Sequence, residues 1–385
     1  MRTVTVLGAT GSVGGSTLDL VERAPDRFRV RALTANCDVA GLAAAARRTR
    51  ADLAVVADEA CLPALREALA GTPTRVAAGR AAVIDAAASG ADWTMAAIVG
   101  CAGLEPVMAA VAQGGTVVLA NKEPLVSAGE LVLAAAARSG ATLLPCDSEH
   151  NAIFQCLGAS DPAQVRRLIL TASGGPFRDW PLDRMRAVTP EQAVAHPNWS
   201  MGAKISVDSA TMMNKGLELI EAARLFPIHP DRIEIVIHPQ SVIHSAVDYV
   251  DGSVLAQLGP SDMRVPIAHC LAWPERMATP MQPLDLVALG RLDFAAPDPV
   301  RFPALRLARQ AVDAGGARPA ILNAANEVAV SAFLAGKIGF LQIAAIVADT
   351  LTRYDPPAPA SLEEALAVDA QARGYAGELL EDLAA

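Results

Sequence analysis

Aromatic residues are scarce, at 4% of 385, so any core must be built mainly from Ala, Val, Leu and Ile. Cysteine is scarce as well. The six residues Cys37, Cys61, Cys101, Cys146, Cys156 and Cys270 contain no C-x-x-C pair. That excludes a zinc ribbon or a disulfide scaffold and points to buried free thiols in a reducing compartment. Positive charge is not in excess; the net charge is −9. The chain therefore lacks the basic face that a nucleic-acid coat needs, while a local pocket for a small anion stays open. Long apolar runs are missing too. The longest uncharged stretches, such as 106–121, carry Gly and Gln and fall short of a bilayer span, so no membrane partner is expected. Met1-Arg2-Thr3-Val4 leads directly into a strand-like run with no signal-peptide pattern, and the expected location is cytoplasmic. The sequon Asn198-Trp199-Ser200 is then expected to stay unglycosylated. What is abundant is apolar residue, 52% against 19% charged, which excludes a disordered chain and fits two to three domains at this length.

Residues 1–147 alternate short apolar runs with helical patterns. Strands are expected at 4–7, 28–33, 53–56, 96–99 and 116–119, with Ala-rich helices at 40–50 and 60–70. This alternation implies a parallel sheet covered on both faces. From 148 the texture changes to an α+β domain reaching 272, with helices at 148–157 and 209–225 and strands at 233–237 and 253–258. Six prolines between 274 and 303 mark a semi-rigid linker, 273–303. The remainder, 304–385, is Ala/Leu-rich and reads as a small helical bundle.

Four clusters carry chemistry. Gly8, Gly11 and Gly14 follow the first strand and open a helix. That pattern lets a backbone approach a pyrophosphate at a helix N-terminus, or simply makes a tight turn. The second strand ends Thr34-Ala35-Asn36-Cys37-Asp38. No acid stands at its tip, which leans towards a 2′-phosphate, yet no base is there either; Arg31 and Arg47-Arg48 are nearest. Leu119-Ala120-Asn121-Lys122-Glu123 lies at the carboxyl end of a strand, where open α/β sheets bind ligands; the alternative is a charge pair at a helix start. In Asp147-Ser148-Glu149, residues 147 and 149 face the same way if the segment is extended, and converging carboxylates suit Mg²⁺ or Mn²⁺. The alternative is a helix N-terminus that favours acids. Between His196 and Glu218, Ser209, Asn214 and Lys215 offer a hydroxyl, an amide and an ammonium to a phosphate monoester. Asn214 and Glu218 share a helical face. Trp199 and Met201 lie in a Gly- and Pro-bounded loop that suits a lid, or an ordinary surface loop with a packed Trp.

The strings GATGSVG (8–14), LANKE (119–123), DSEHNAIFQ (147–155), SGGPF (173–177), HPNWSMG (196–202), KISVDSATMMNKGLE (204–218), HPQSVIHS (238–245) and LNAANEVAV (322–330) occur in one order. Through them the chain resembles the 1-deoxy-D-xylulose 5-phosphate reductoisomerase family of the non-mevalonate isoprenoid pathway over nearly its whole length. The resemblance implies an NADPH-binding Rossmann-like domain (1–147), a catalytic domain (148–272), the linker and the C-terminal helical domain. It places a divalent cation on Asp147, Glu149 and Glu218. Substrate contacts fall on Lys122, Ser148, Glu149, Ser173, His196, Trp199, Ser209, Asn214, Lys215 and Glu218. Catalysis falls on Lys122 and the three acids. NADPH contacts fall on Thr10, Gly11, Ser12, Val13, Asn36, Asn121, Glu123 and Gly202. It further implies a homodimer and a loop around Trp199 that closes over a phosphorylated ketose. Three departures stand out: Cys37 where a base is usual, Pro124 after the Asn-Lys-Glu run, and Ala172 and Ala203 beside the substrate strings. Two other readings predict different behaviour. A dehydrogenase of the aspartate-semialdehyde or homoserine type would need no metal at Asp147 and Glu149. A nucleotide sensor would bind NADPH without turnover.

Overall fold

The computed structural model describes residues 1–199 and 201–384; Ser200, part of the expected lid string and of the sequon, lies outside the described residues. Two compact units divide the chain. The first comprises Met1–Pro124, Glu130–Asn151 and Asp262–Met281, and the second Leu125–Gly129, Ala152–Ser261 and Gln282–Ala385.

The first unit is a seven-stranded sheet: β1 (Arg2–Leu7), β2 (Phe28–Ala35), β3 (Leu53–Val56), β4 (Arg75–Ala78), β5 (Trp93–Ala96), β6 (Thr116–Leu119) and β7 (Thr142–Pro145). Every pairing is parallel, in the order β4-β3-β2-β1-β5-β6-β7. The order reverses beside β1, so the carboxyl ends of β1 and β5 form the crevice where such sheets bind ligands. Apolar residues fill the strands because helices cover both faces; Val4, Val6, Leu33, Val55, Trp93 and Val118 are all buried. The chain returns to this unit through the Arg264–Ala272 helix. There the Trp93 indole N–H donates to the Cys270 carbonyl at 3.0 Å and Arg264 pairs with Asp19 at 3.1 Å.

The second unit holds β8 (Val165–Ala172), β9 (Ile233–Ile237), β10 (Ile243–Tyr249) and β11 (Val254–Leu258) in the order β11-β10-β8-β9. Only the β8–β9 pairing is parallel. Its helices include Ala203–Ala210, Met213–Leu225 and the C-terminal set Ala304–Ala314, Arg318–Leu334, Gln342–Arg353 and Leu362–Ala384. The few aromatic side chains gather here. Phe177 packs on Trp180 at 4.8 Å and on Phe340 at 5.2 Å, and Phe340 packs on Phe333 at 5.8 Å. Phe177 thereby roots the loop that carries Ser173. The proline-rich stretch contains the short helix Leu286–Leu289, and Ala295 bridges to Ile237. Among the described residues no helix is long and apolar enough to cross a membrane.

Several expectations need correction. The fourth strand expected at 96–99 is β5, three residues earlier; Trp93, Thr94 and Met95 are buried while Val99 is exposed. The helix expected over 209–225 is two helices. They are separated at Met212, which adopts φ +62 with no side-chain cap, as Thr211 Oγ1 bonds back to Val207 O and accepts the Met213 N–H. Among the described residues no cysteine forms a disulfide, but only Cys101, Cys146 and Cys270 are buried. Cys37 lies in the exposed turn after β2, and Cys61 and Cys156 are half-covered. Burial still holds the Cys156 thiol up at about 11.

Candidate active site

The Gly8–Gly14 turn sits where the sheet order reverses. Gly8 has φ +83, and a Cβ there would strike the carbonyl of Ala97 after β5. A Cβ on Gly14 would strike Gly8 O and the Ala9 backbone. The turn is tied to β2 by Ala9 N–H to Thr34 O at 2.7 Å and by Gly8 N–H to Thr34 Oγ1 at 3.0 Å. The Ser12–Glu22 helix that follows has Gly11 at its N-cap and no side-chain cap, so its positive end faces outward from exposed Gly11 and Ser12. Thr10 and Val13 are half-buried beside them. A pyrophosphate suits this end. Gly14→Ala is expected to lower the unfolding free energy by about 1–3 kcal/mol, the usual cost of overpacking, measured by urea denaturation; an unchanged midpoint would contradict the close approach.

At the tip of β2, Asn36 and Cys37 are exposed. Asp38 is committed to capping the next helix, its carboxylate accepting the Gly41 N–H at 2.9 Å. Two of the three nearby bases are occupied as well: Arg47 donates to Ala68 O at 2.6 Å and Arg48 to Glu22 at 3.1 Å. The strand tip thus presents neither an acid poised for a ribose hydroxyl nor a guanidinium for a phosphate.

Asn121 and Lys122 follow β6, and Glu123 and Pro124 open the Glu123–Ser139 helix, where proline is tolerated as expected. The Asn121 side chain is buried, and neither its oxygen nor its nitrogen has a hydrogen-bond partner. An orphaned amide beside the crevice fits a ligand that carries its own donor and acceptor. Lys122, 5% exposed, pairs through Nζ with Asp147 Oδ2 at 2.6 Å.

Asp147 precedes the Ser148–Leu157 helix. Its backbone carbonyl accepts the Asn151 N–H at 2.8 Å and its Oδ1 the Glu149 N–H at 3.4 Å. The extended reading of 147–149 is thereby corrected: Asp147 caps the helix and Glu149 lies in its first turn, where the dipole favours acids. The Ser148 hydroxyl donates to Glu149 Oε2 at 2.6 Å. Asn151 secures this turn from behind, with its amide on Pro145 O at 2.9 Å and 3.1 Å from His269 Nδ1.

In the second unit the phosphate candidates gather on two helices and one loop. Met212 turns the chain so that Ser209, near the end of one helix, is followed closely by Asn214 and Lys215 in the first turn of the next. Glu218, 1% exposed, accepts from both Lys215 Nζ and Asn214 Nδ2. A Cβ on Gly175, φ +69, would strike Ser209 O, so the Gly174-Gly175 turn closes directly on that helix end.

Ser173 and His196 form a defined pair. His196 Nδ1 accepts the backbone N–H groups of Asn198 at 3.2 Å and Trp199 at 3.0 Å. The ring proton therefore sits on Nε2 and is donated to Ser173 Oγ at 3.0 Å. Ser173 Oγ also accepts the Gly175 N–H at 3.1 Å, which directs its own hydroxyl proton outward to a ligand oxygen. Burial pushes the His196 pKa down, so the ring stays neutral.

The string HPQSVIHS carries no role in the sequence reading, and the structure gives it one. Asn198 donates to Pro239 O at 2.7 Å and Ser241 Oγ at 3.0 Å, and the Trp199 ring lies 6.1 Å from that of His244. His238 accepts the Val242 N–H on Nε2, so Nδ1 donates to Asp293 O at 2.9 Å. This turn therefore seats both the Trp199 loop and the proline-rich segment. Two histidines flanking a Pro-led turn were its only signal in the sequence. Gly202, the remaining cofactor candidate, is the exposed N-cap of Ala203–Ala210.

The expected residues are thus shared between the units. Lys122, Asp147, Ser148, Glu149 and the cofactor candidates other than Gly202 belong to the first. Ser173, His196, Trp199, Gly202, Ser209, Asn214, Lys215 and Glu218 belong to the second. All three metal candidates are carboxylates, a donor set for a hard divalent cation such as Mg²⁺ or Mn²⁺.

Comparison with known proteins bears on these assignments. Residues 4–129 match the family described as 1-deoxy-D-xylulose 5-phosphate reductoisomerase, 143–226 its C-terminal domain, and 258–375 the DXP reductoisomerase C-terminal domain. The 1-deoxy-D-xylulose 5-phosphate reductoisomerase of Zymomonas mobilis is 62% identical over 384 residues, covering 100% of this chain and 99% of that one. The protein of the same name from Rhodospirillum centenum is 59% identical, covering 99% and 94%. A solved structure of the Zymomonas mobilis protein in complex with NADPH superposes with a TM-score of 0.94 at 60% identity, covering 99% of each chain. A DOX-P reductoisomerase in complex with NADPH, fosmidomycin and magnesium superposes with a TM-score of 0.94 at 45% identity, covering 100% of this chain and 99% of that one.

Proposed function

The chain belongs to the 1-deoxy-D-xylulose 5-phosphate reductoisomerase family, and from that premise we propose that it converts 1-deoxy-D-xylulose 5-phosphate to 2-C-methyl-D-erythritol 4-phosphate with NADPH and one divalent cation. The observation that carries this reading is the pair of charged clusters Lys122–Asp147 and Lys215–Glu218, both withdrawn from solvent. Buried charge is costly and is retained where chemistry uses it.

In this reading Asp147, Glu149 and Glu218 hold the cation, which when bound supplies Lewis-acid charge to the carbonyl and neighbouring hydroxyl oxygens of the ketose. NADPH when bound supplies the hydride, its pyrophosphate on Thr10, Gly11, Ser12 and Val13 and its carboxamide answering the unpaired Asn121 amide. Asn36, Glu123 and Gly202 complete that set. Lys122 places an ammonium beside Asp147 and donates a hydrogen bond, or a proton, to a substrate oxygen. Ser148 holds Glu149 in place. Ser173, Ser209, Asn214 and Lys215 take the phosphate, with His196 keeping the Ser173 proton turned outward. Binding energy from that remote phosphate orients the reacting carbons. The Trp199 loop, anchored through Asn198, covers the substrate and excludes water. Functionally the chain divides into the cofactor domain 1–147, the catalytic domain 148–272, the linker 273–303 and the helical domain 304–385.

The protein acts as a cytoplasmic homodimer in this proposal. β11 is an edge strand and exposes Val254 and Leu255 by 54% and 51%, an apolar edge that a second copy can cover. Leu255→Lys is expected to move the sedimentation coefficient from dimer to monomer; a wild-type value would remove this edge from the interface. Cys37→Arg is expected to lower the KM for NADPH by about tenfold, with no gain for NADH, since a guanidinium–phosphate contact is worth roughly 1.5–3 kcal/mol. If the NADPH/NADH preference stays put, position 37 does not read the 2′-phosphate. The function itself is tested by NADPH consumption with 1-deoxy-D-xylulose 5-phosphate, with and without EDTA. Consumption that stops with EDTA and yields the branched tetritol phosphate supports it. Consumption that persists after chelation favours a metal-independent dehydrogenase, and cofactor binding without turnover favours a sensor.

A further inference from the structure

The two asparagines of the 322–330 string are anomalous. Asn323 and Asn326 are 0% exposed on the Arg318–Leu334 helix, among buried Ile321, Leu322, Ala325, Ala329 and Val330. An apolar residue would serve packing better there, because a buried amide must be paired. Asn323 donates within its own helix, to Glu327 Oε1 at 3.0 Å, whereas Asn326 Nδ2 donates to Asp208 Oδ1 at 2.7 Å, across 118 positions of sequence. Asp208 is anomalous in turn. It lies near the C-terminus of the Ala203–Ala210 helix, where the macrodipole disfavours a carboxylate, and it is 1% exposed. Its second oxygen takes Lys204 Nζ at 2.8 Å. Two residues that each break a local rule meet in one buried hydrogen bond, although Asn326 Oδ1 has no partner, which is the pattern expected where a site is being supported.

The pair fixes how this helix is rotated about its axis. Successive side chains advance by about a quarter turn or slightly more at 3.6 residues per turn, so pinning Asp208 sets the direction of Ser209. The Gly174-Gly175 turn bears on Ser209 O from another side. Lys204, in the first turn, carries the same connection back towards Gly202 and the end of the Trp199 loop.

We propose that Asn326 and Asp208 are positioning residues: their buried hydrogen bond sets the rotation of the Ala203–Ala210 helix and thereby aims Ser209 at the substrate phosphate. This rests on the assignment of Ser209 to the phosphate. It extends the reacting apparatus to a residue of the C-terminal helices that never touches substrate.

The test compares four variants of the full-length enzyme by KM and kcat for 1-deoxy-D-xylulose 5-phosphate and by KM for NADPH. Asn326→Leu keeps volume and removes the donor; Asp208→Ala removes the acceptor; Asp208→Asn keeps an oxygen for Asn326; Ser209→Ala reports on the phosphate contact itself. Expected are rises of about tenfold in the substrate KM for Asn326→Leu and Asp208→Ala, since small misplacements far from the chemistry have effects of that order or larger. The NADPH KM should not move, and Asp208→Asn should restore a near wild-type value. If Ser209→Ala raises the substrate KM but Asn326→Leu does not, the positioning role is overturned while the phosphate site stands. If Ser209→Ala changes nothing, the phosphate assignment falls and this proposal with it. Should Asn326→Leu not fold, the contrast between Asp208→Ala and Asp208→Asn decides. Equal losses in both, or losses shared with NADPH, mean a merely structural bond and overturn the proposal.

Discussion

Glu218→Gln is expected to lower kcat by about a thousandfold or more, while NADPH binding stays near wild type. The substitution keeps the shape of the side chain and its acceptor oxygen for Asn214, but removes the negative charge from a position that is 1% exposed. A carboxylamide is a poor ligand for a hard divalent cation. The charge stabilisation such a cation supplies is worth several kcal/mol, and each 1.36 kcal/mol is about tenfold in rate. The cofactor candidates lie in the Gly8–Gly14 turn, the strand tips and the start of Ala203–Ala210, none of them on the helix that carries Glu218. The check is steady-state turnover at saturating Mn²⁺ alongside a fluorescence titration with NADPH. Wild-type turnover with Mn²⁺ would remove Glu218 from the ligand set. Loss of NADPH binding would show a folding defect instead.

Lys215→Ala is expected to raise the KM for 1-deoxy-D-xylulose 5-phosphate by about a hundredfold, with a smaller fall in kcat. A charge-assisted hydrogen bond to phosphate contributes roughly 1.5–3 kcal/mol, and Lys215 is 3% exposed, where water screens it little. The substitution also removes the Lys215–Glu218 ion pair. Breaking a buried pair from one side costs about 3–5 kcal/mol of stability, so the melting temperature of the metal-free protein should drop as well. The split between KM and kcat identifies a binding role, because the phosphate does not react. An unchanged KM would contradict it.

The parts of this molecule that were legible in the sequence are those set by local pattern. β3, β6 and β9 and the Ser148–Leu157 helix fall at the residues expected, because each is an apolar run or a helical pattern bounded by turn residues. β5 slipped because residues 93–99 are almost uniformly apolar, and only the register that pairs Leu7 with Ala96 ends the strand. β4, β7, β8 and β10 were passed over for varied reasons. β7 ends in a proline, and β8 carries Arg166 and Arg167, whose partners Asp248 and Glu234 come from its neighbours in the sheet. The site residues were legible as strings, but their contacts were not. That Asp38 is a helix cap, that Asp147 caps rather than extends, and that His196 presents Nε2–H to Ser173 all depend on backbone directions that no spacing encodes. Asp208 and Asn326, 118 positions apart, left no trace, because the helix expected over 209–225 put Asp208 at an N-terminus, where an acid is favoured.

The central proposal, one divalent cation held by Asp147, Glu149 and Glu218, is tested most directly by counting bound Mn²⁺ by electron paramagnetic resonance. The wild-type chain should bind one ion per polypeptide, and Asp147→Asn, Glu149→Gln and Glu218→Gln should each weaken that binding strongly. A Glu218→Gln protein that binds Mn²⁺ as tightly as wild type, or three variants that differ in which of them matters, would contradict it.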